Sequence, residues 1–213
     1  WKIGFENGKH VEAQVVVNAA GAWSPQVGEL IGIDIPIIPK KGQILVTEQI
    51  PPIGETNVWS AEYIVSKLRP ELNTNKDDIR SKLGIGFSFS QSSTGNYLIG
   101  STRENVGFNR DTNLAALNIL IEQAMRFFPI MKNVNIIRSF AGLRPASPDG
   151  KPIIGEVESR KGFYIASGHE GDGIALAPVT GKLISDMING ESMRYDVEEL
   201  NIKRFEHGNE VSV

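Results

Sequence analysis

The chain has 213 residues, of which 40% are hydrophobic and 22% charged, and its formal net charge is −3. That length suits one large domain or two small ones, and that charge gives no electrostatic case for nucleic acid or an anionic membrane as the main partner. The absence of Cys excludes disulfides, thiolate metal sites and a Cys nucleophile, and it suits a reducing cytoplasm, the expected location.

The first residue is Trp1 rather than Met, so the chain reads as a fragment of a longer protein. It shows no basic and apolar leader and no apolar run near the roughly 18 residues of a membrane span. Residues 1–8 alternate weakly and end in Asn7-Gly8, a hairpin turn signal. Val15-Val16-Val17 then reads as a buried strand of a parallel sheet. It gives way to Asn18-Ala19-Ala20-Gly21, small residues that let another group approach the backbone closely. Ser24-Pro25 predicts a short helix with Ser24 as its N-cap, ending near Gly32.

Strands are expected at residues 43–47, 59–68, 85–91 and 97–101, with turns at Pro51-Pro52 and at residues 92–96. Together residues 43–101 read as an antiparallel meander, interrupted by a polar, solvated excursion at residues 69–82. Residues 113–128 give the clearest helix, because Leu114, Leu117, Leu120, Ile121, Ala124, Met125 and Phe128 recur three and four apart and Pro129 follows. Further strands are expected at residues 135–140, 153–154 and 163–167. A second helix is expected at residues 178–188, closed by Asn189-Gly190. The charged residues 196–213 read as a tail.

Two stretches carry chemistry. Gly142-Leu143-Arg144-Pro145-Ala146 places an Arg at the end of a strand before a turn, where a fixed guanidinium suits a carboxylate. It would serve equally as a structural ion pair. Gly168-His169-Glu170-Gly171-Asp172-Gly173-Ile174 is a Gly-rich loop running into a helix, so its N–H groups and the helix dipole favour anionic or electron-rich groups. The plain alternative is an ordinary strand–loop–helix turn. His169 lacks the neighbours of a metal motif, and no metal site is expected. Asp149-Gly150 is a turn. Lys40-Lys41 reads as a solvated pair, and Phe87 and Phe89 as core. The dinucleotide fingerprint G-x-G-x-x-G is nowhere found between a strand and a helix.

In the order and spacing of four landmarks the chain resembles the D-amino acid oxidase family of FAD-dependent oxidoreductases, near its glycine oxidase and sarcosine oxidase β-subunit branches. The landmarks are residues 15–24, Pro39-Lys40-Lys41-Gly42-Gln43, the Arg144 motif, and the loop and helix at residues 168–181. The resemblance covers nearly the whole chain as the C-terminal part of a longer family member. It implies an α/β fold with an α+β insert: a partial FAD-binding domain, its N-terminal Rossmann βαβ missing, plus an antiparallel substrate domain. The implied segments are 1–38 (FAD domain), 39–138 (substrate domain), 139–195 (FAD domain) and 196–213 (tail).

The resemblance also assigns residues. Ala20, Gly21, Trp23 and Gly42 would pass close to FAD. Gly168, His169, Glu170, Gly171, Asp172, Gly173 and Ile174 would face the flavin. Arg144 would hold the substrate carboxylate at the flavin, and Tyr63 would contact substrate from a strand, unless it is simply a packed aromatic. Without Cys, no thioether-linked flavin can form on this chain. Relatives of the glycine oxidase kind often carry an Arg in the Gly-rich loop; here that place is Gly171, flanked by Glu170 and Asp172. The implied activity is oxidation of an amino acid or secondary amine by hydride transfer from Cα to flavin. The expected partners are that small substrate and another subunit. The alternative is a non-catalytic interaction module whose FAD chemistry is lost or lies on another chain.

Overall fold

A computed structural model describes residues 1–68 and 78–209. The chain divides into two compact units. One comprises Trp1–Pro39 with the residues from Arg144 onward, and the other comprises Lys40–Leu143.

The first unit opens with an antiparallel hairpin of β1 (Lys2–Gly4) and β2 (His10–Glu12) around the expected Asn7-Gly8 turn. Its main sheet has the order β3-β10-β9, from β3 (Val16–Asn18), β10 (Phe163–Ser167) and β9 (Ile153–Glu156). β10 runs parallel to β3 and antiparallel to β9. Alternation along β10 sends Phe163 and Ile165 into one core with Ile35, Ile37, Ile153 and Val157. Tyr164 goes to a second core with Ile154, Leu183 and Ile184. Apolar cover on both faces explains the continuous apolar runs of these strands.

Several expectations change in this unit. The first helix, α1 (Ser24–Glu29), is preceded by a 3-10 turn at Gly21–Trp23, so Trp23 occupies the N-cap and Ser24 lies inside the helix. The Ser24 hydroxyl is buried and donates to Ser167 Oγ at 2.9 Å, so a tertiary contact takes the side chain that a cap would have used. Val17 is 41% exposed rather than buried, because its side chain lines an open cavity. The described part of the tail is docked: Ile202 is buried in the first core. Arg204 grips Asp149 with Nε to Oδ2 at 2.7 Å and Nη2 to Oδ1 at 3.1 Å. Residues 210–213 of the expected tail lie outside the described residues.

The second unit is built on a five-stranded sheet of order β5-β6-β7-β4-β8. Its strands are β4 (Ile38–Gln49), β5 (Val58–Trp59), β6 (Ser88–Gln91), β7 (Asn96–Gly100) and β8 (Ile136–Ala146). β5, β6 and β7 form an antiparallel meander, but β4 pairs on the far side of β7, and the strand expected at residues 135–140 is the start of the longer β8. α4 (Leu114–Phe127) has its N-terminus capped by Asn113, whose side chain accepts from Ala116 N at 3.1 Å. Its apolar face supplies Leu117, Leu120 and Ala124 to the core with Phe87, Phe89, Tyr97 and Ile99.

The strand expected at residues 59–68 is instead the short β5 followed by α2 (Ala61–Leu68). The Ser60 hydroxyl accepts from Tyr63 N at 3.2 Å and the Ser60 carbonyl accepts from Tyr63 N and Ile64 N, which starts a helix. Of the excursion, residues 69–77 lie outside the described residues, and α3 (Ile79–Lys82) is a short helix. Lys41 is the other correction. It is 5% exposed and pairs with Glu104 at 3.2 Å, because Glu104 Oε1 is itself fixed by Gln43 Nε2 at 2.7 Å and Thr102 Oγ1 at 2.6 Å.

Candidate functional site

In the first unit the parallel strands β3 and β10 both end at turns of small residues. Parallel sheets present ligand sites beyond the C-terminal ends of their strands. Side chains stitch the two turns together. Asn18 Nδ2 donates to Ser24 O at 3.0 Å and Asn18 Oδ1 accepts from Ala20 N at 3.2 Å. Ser167 Oγ accepts from Ser24 and donates to Gly21 O at 3.1 Å.

After Ser167 the chain turns at Gly168, with φ +83°. A Cβ there would lie 3.2 Å from Ile153 N, so both the backbone angle and the close approach call for glycine. A 3-10 turn at Glu170–Asp172 leads into α5 (Gly173–Asn189). This helix begins five residues before the expected start at Pro178. Pro178 is accommodated inside it, at the loss of one backbone hydrogen bond. The consequence is functional, since the positive end of the helix stands directly at the turn.

These elements surround a cavity of about 660 Å³. Of the residues expected at a site, Gly21, Arg144, His169, Glu170, Gly171, Gly173 and Ile174 line it. The wall is otherwise small or apolar: a Cβ on Gly21 would meet nothing within 4 Å, and one on Gly171 would come only within 3.9 Å of Arg144 Cδ and Nε. Ile174 is 95% exposed. Ala20, Trp23, Gly168 and Asp172 sit in the same turns without lining the cavity. Gly42 and Tyr63 belong to the other unit. Tyr63 is on α2, not on a strand, where its ring lies tilted against Trp59 with centroids 5.8 Å apart and lies under the Arg103 guanidinium at 5.7 Å. It also packs on Gly86 so closely that a Cβ there would fall 2.5 Å from Tyr63 Cδ2. Among the described residues no group of three or more His, Cys, Asp or Glu is placed to hold a metal ion.

The cavity also uses Val17, Ala177, Thr180 and Gly181, which the sequence reading did not single out. A signal for some of them was present. Gly173, Ala177 and Gly181 recur every four residues, which puts three small side chains on one stripe of α5.

His169 fixes the turn to the helix: its Nε2 shares a hydrogen bond with Thr180 Oγ1 at 2.9 Å, and its backbone bridges Ala146. Burial lowers the His169 pKa from the ordinary 6.5, so the ring is held neutral. The folded state therefore binds fewer protons than the unfolded chain in the window just below pH 6.5. This contribution to stability is complete above 6.5 and is lost as pH falls through the window. Thermal melts from pH 7.5 to pH 5, a range chosen to be about one to two units either side of that pKa, should show His169→Gln flattening the acid-side slope. An identical slope in wild type and variant would contradict it.

A family model described as DAO, FAD dependent oxidoreductase, matches residues 1–187. Over 191 residues the chain is 35% identical to hydrogen cyanide synthase subunit HcnC of Pseudomonas protegens, covering 89% of this chain and 40% of that protein. It is 27% identical over 194 residues to glycine oxidase of Geobacillus kaustophilus, covering 90% of this chain and 45% of that one. The crystal structure of glycine oxidase from Geobacillus kaustophilus superposes with a TM-score of 0.77 at 25% identity, covering 92% of this chain and 47% of that one. That of L-proline dehydrogenase from P. horikoshii superposes at 0.79 and 26%, covering 95% and 50%. The chain thus spans half or less of the length of these relatives. No helix among the described residues is long and apolar enough to cross a membrane.

Proposed function

The chain belongs to the DAO family of FAD-dependent oxidoreductases, and from that premise we propose that it is the substrate-binding and flavin-facing portion of an enzyme that oxidises an amino acid or secondary amine at Cα. The observation that carries this reading is the shared cavity: Arg144, residues 169–171 of the turn, and Gly173 and Ile174 at the start of α5 line one space of about 660 Å³. Among the relatives, glycine oxidase and L-proline dehydrogenase are enzymes whose names denote amino acids as substrates.

The wall suits a flavin. Small residues at Gly21, Gly171 and Gly173 leave a flat face on which a planar ring can lie, and exposed Ile174 and Val17 offer apolar contact. FAD, when bound, supplies the two-electron acceptor for hydride from Cα. The protein's own groups do the rest. Arg144 orients the substrate through a two-pronged contact with its carboxylate. The N–H groups at the start of α5 stabilise negative charge that develops beside them. His169, kept neutral and tied to Thr180, holds the turn without adding a charge. Segments 1–38 and 139–195 are proposed as the FAD-domain part, 39–138 as the substrate domain, and Ala20, Trp23, Gly42, Gly168 and Asp172 as further cofactor neighbours. Tyr63, on its helix, is proposed to reach substrate.

A substrate panel on the full-length protein tests this. Glycine, sarcosine, both enantiomers of proline and alanine, and hydroxyproline would be offered with O2 and with an artificial electron acceptor. The reading expects imine hydrolysis products from at least one. No turnover of any of them, by a protein that holds FAD, would favour an interaction module instead.

A further inference from the structure

The tail that follows α5 is tied to one turn by a single side chain. Residues 197–205 lie against the edge strand β9 and feed both cores that cover the sheet. Ile202 and Phe205 pack into the first core, Val197 and Leu200 into the second. Asn201 Nδ2 donates to Glu156 O at the end of β9, at 3.1 Å. Beside this anchor Arg204 uses all five N–H donors of its guanidinium. Nη1 donates to Leu200 O at 2.8 Å and to Asn201 O at 3.2 Å, within the tail. Nη2 donates to Lys151 O at 2.9 Å, and with Nε it grips the Asp149 carboxylate.

The turn at residues 147–151 does not need this clamp in order to form. Asp149 Oδ1 accepts from Lys151 N at 3.1 Å and Ser147 Oγ donates to Lys151 O at 2.6 Å, so the turn closes on itself. The tail has its own anchors in Ile202 and Asn201. What the guanidinium adds is the fixed position of the one against the other. That position reaches the cavity from both ends of the turn. At one end Ala146 bridges His169, and it directly follows Arg144 and Pro145 on the cavity wall. At the other end Pro152 and Ile153 press on Gly168, where a Cβ would lie 3.4 Å from Pro152 Cα and 3.2 Å from Ile153 N. The Gly168 turn continues into His169, Glu170 and Gly171, which line the cavity, whereas Arg204 does not. A clamp on residues 149 and 151 therefore acts on two parts of the wall at once, through contacts too close to absorb a shift.

We propose that Arg204 is a positioning residue: by holding the turn at residues 147–151 against the tail, it sets how the Arg144–Pro145 wall and the turn at residues 168–171 stand to each other. This rests on the preceding reading of the cavity as the flavin and substrate site.

Arg204→Lys, Arg204→Ala and Asp149→Asn test it in the full-length protein, with Ile202→Val as the control. Lys keeps the charge but loses the planar fork. Ile202→Val weakens the anchor of the tail and leaves every donor of the clamp in place. The first readout needs no substrate: hydrogen exchange of the backbone amides, resolved by peptide. Loss of the clamp should speed exchange across residues 166–174 several-fold. Ile202→Val should lower the melting temperature and leave exchange there at the wild-type rate. The second readout is flavin reduction without O2 in the FAD-bound fraction. The three clamp variants should show a limiting rate about tenfold lower, as expected of a wall displaced by a fraction of an ångström, and Ile202→Val a wild-type rate. If Arg204→Ala does not fold, Arg204→Lys and Asp149→Asn carry both comparisons. Clamp variants that melt earlier yet keep wild-type exchange at residues 166–174, or wild-type flavin reduction, overturn the proposal and leave Arg204 as a brace of the tail. A wild type that holds FAD but is reduced by no member of the substrate panel sinks the amino-acid reading alone, and the exchange comparison still decides the part played by Arg204.

Discussion

Replacing Arg144 with Ala in the full-length protein is expected to leave FAD binding intact while substrate reduces the flavin far more slowly. Arg144 stands near the end of β8, two residues before the strand closes at Ala146. Its guanidinium stem runs along the cavity wall beside Gly171, where an added Cβ would come within 3.9 Å of Cδ and Nε. A charge-assisted contact to a carboxylate in such a site contributes roughly 1.5–3 kcal/mol, or about tenfold to a hundredfold and more in affinity. Misplacing the substrate by a fraction of an ångström adds to that loss in rate. Arg144→Lys keeps the charge and loses the planar fork, so it should recover only part of the activity. Stopped-flow reduction without O2, measured against substrate concentration, separates the two effects. If Arg144→Ala instead sheds FAD or unfolds, yet is reduced normally once reconstituted, the Arg is a structural brace.

The second large effect lies in the other unit. Glu104→Ala is expected to destabilise the protein by about 3–5 kcal/mol, because it strands the Lys41 charge in the interior. Both side chains are 6% exposed. With Glu104 removed, Lys41 Nζ keeps its bond to Asp111 O at 3.2 Å but loses its counter-charge. Gln43 Nε2 and Thr102 Oγ1 lose their acceptor at the same time. Gln43 also accepts from Asn113 N at 2.8 Å, so the damage reaches the cap of α4. Replacing the pair together, with Lys41→Met and Glu104→Leu, should recover much of the loss, since an apolar pair of similar volume carries no desolvation cost. Urea unfolding of wild type and the two variants measures this. A loss under about 1 kcal/mol for Glu104→Ala would mean that water reaches the pair, as for exposed ion pairs.

Much of the fold is local enough to read from sequence. The α4 helix announces itself through its apolar spacing and the Pro129 that follows. The parallel pairing of Val16–Asn18 with Phe163–Ser167 follows from apolar runs that must be covered on both faces. The failures have physical causes. Tyr63, Ile64 and Val65 are strand-forming types, and one hydroxyl at Ser60, accepting from Tyr63 N, helps to tip them into a helix. Pro178 looks like a helix start because proline favours the first turn, but the fold places it a full turn further in. Lys41 looks solvated beside Lys40, since its partners come from distant sequence: Glu104 pairs with it, and Asp111, whose carbonyl it reaches, is 70 residues away. At the site, the Arg144 motif and the Gly-rich turn were legible as local patterns. The positive φ of Glu170 was not, because nothing in a sequence of Gly and acidic residues says which one adopts it.

The most direct test of an amino-acid oxidising site is a single-turnover one. The full-length protein, purified with FAD, would be mixed without O2 with a substrate from the panel in ordinary and Cα-deuterated form. The account predicts that the flavin bleaches and that deuterium at Cα slows the bleaching several-fold, as expected when that C–H bond breaks in the observed step. A flavin that stays oxidised with every amino acid and secondary amine in the panel would contradict it.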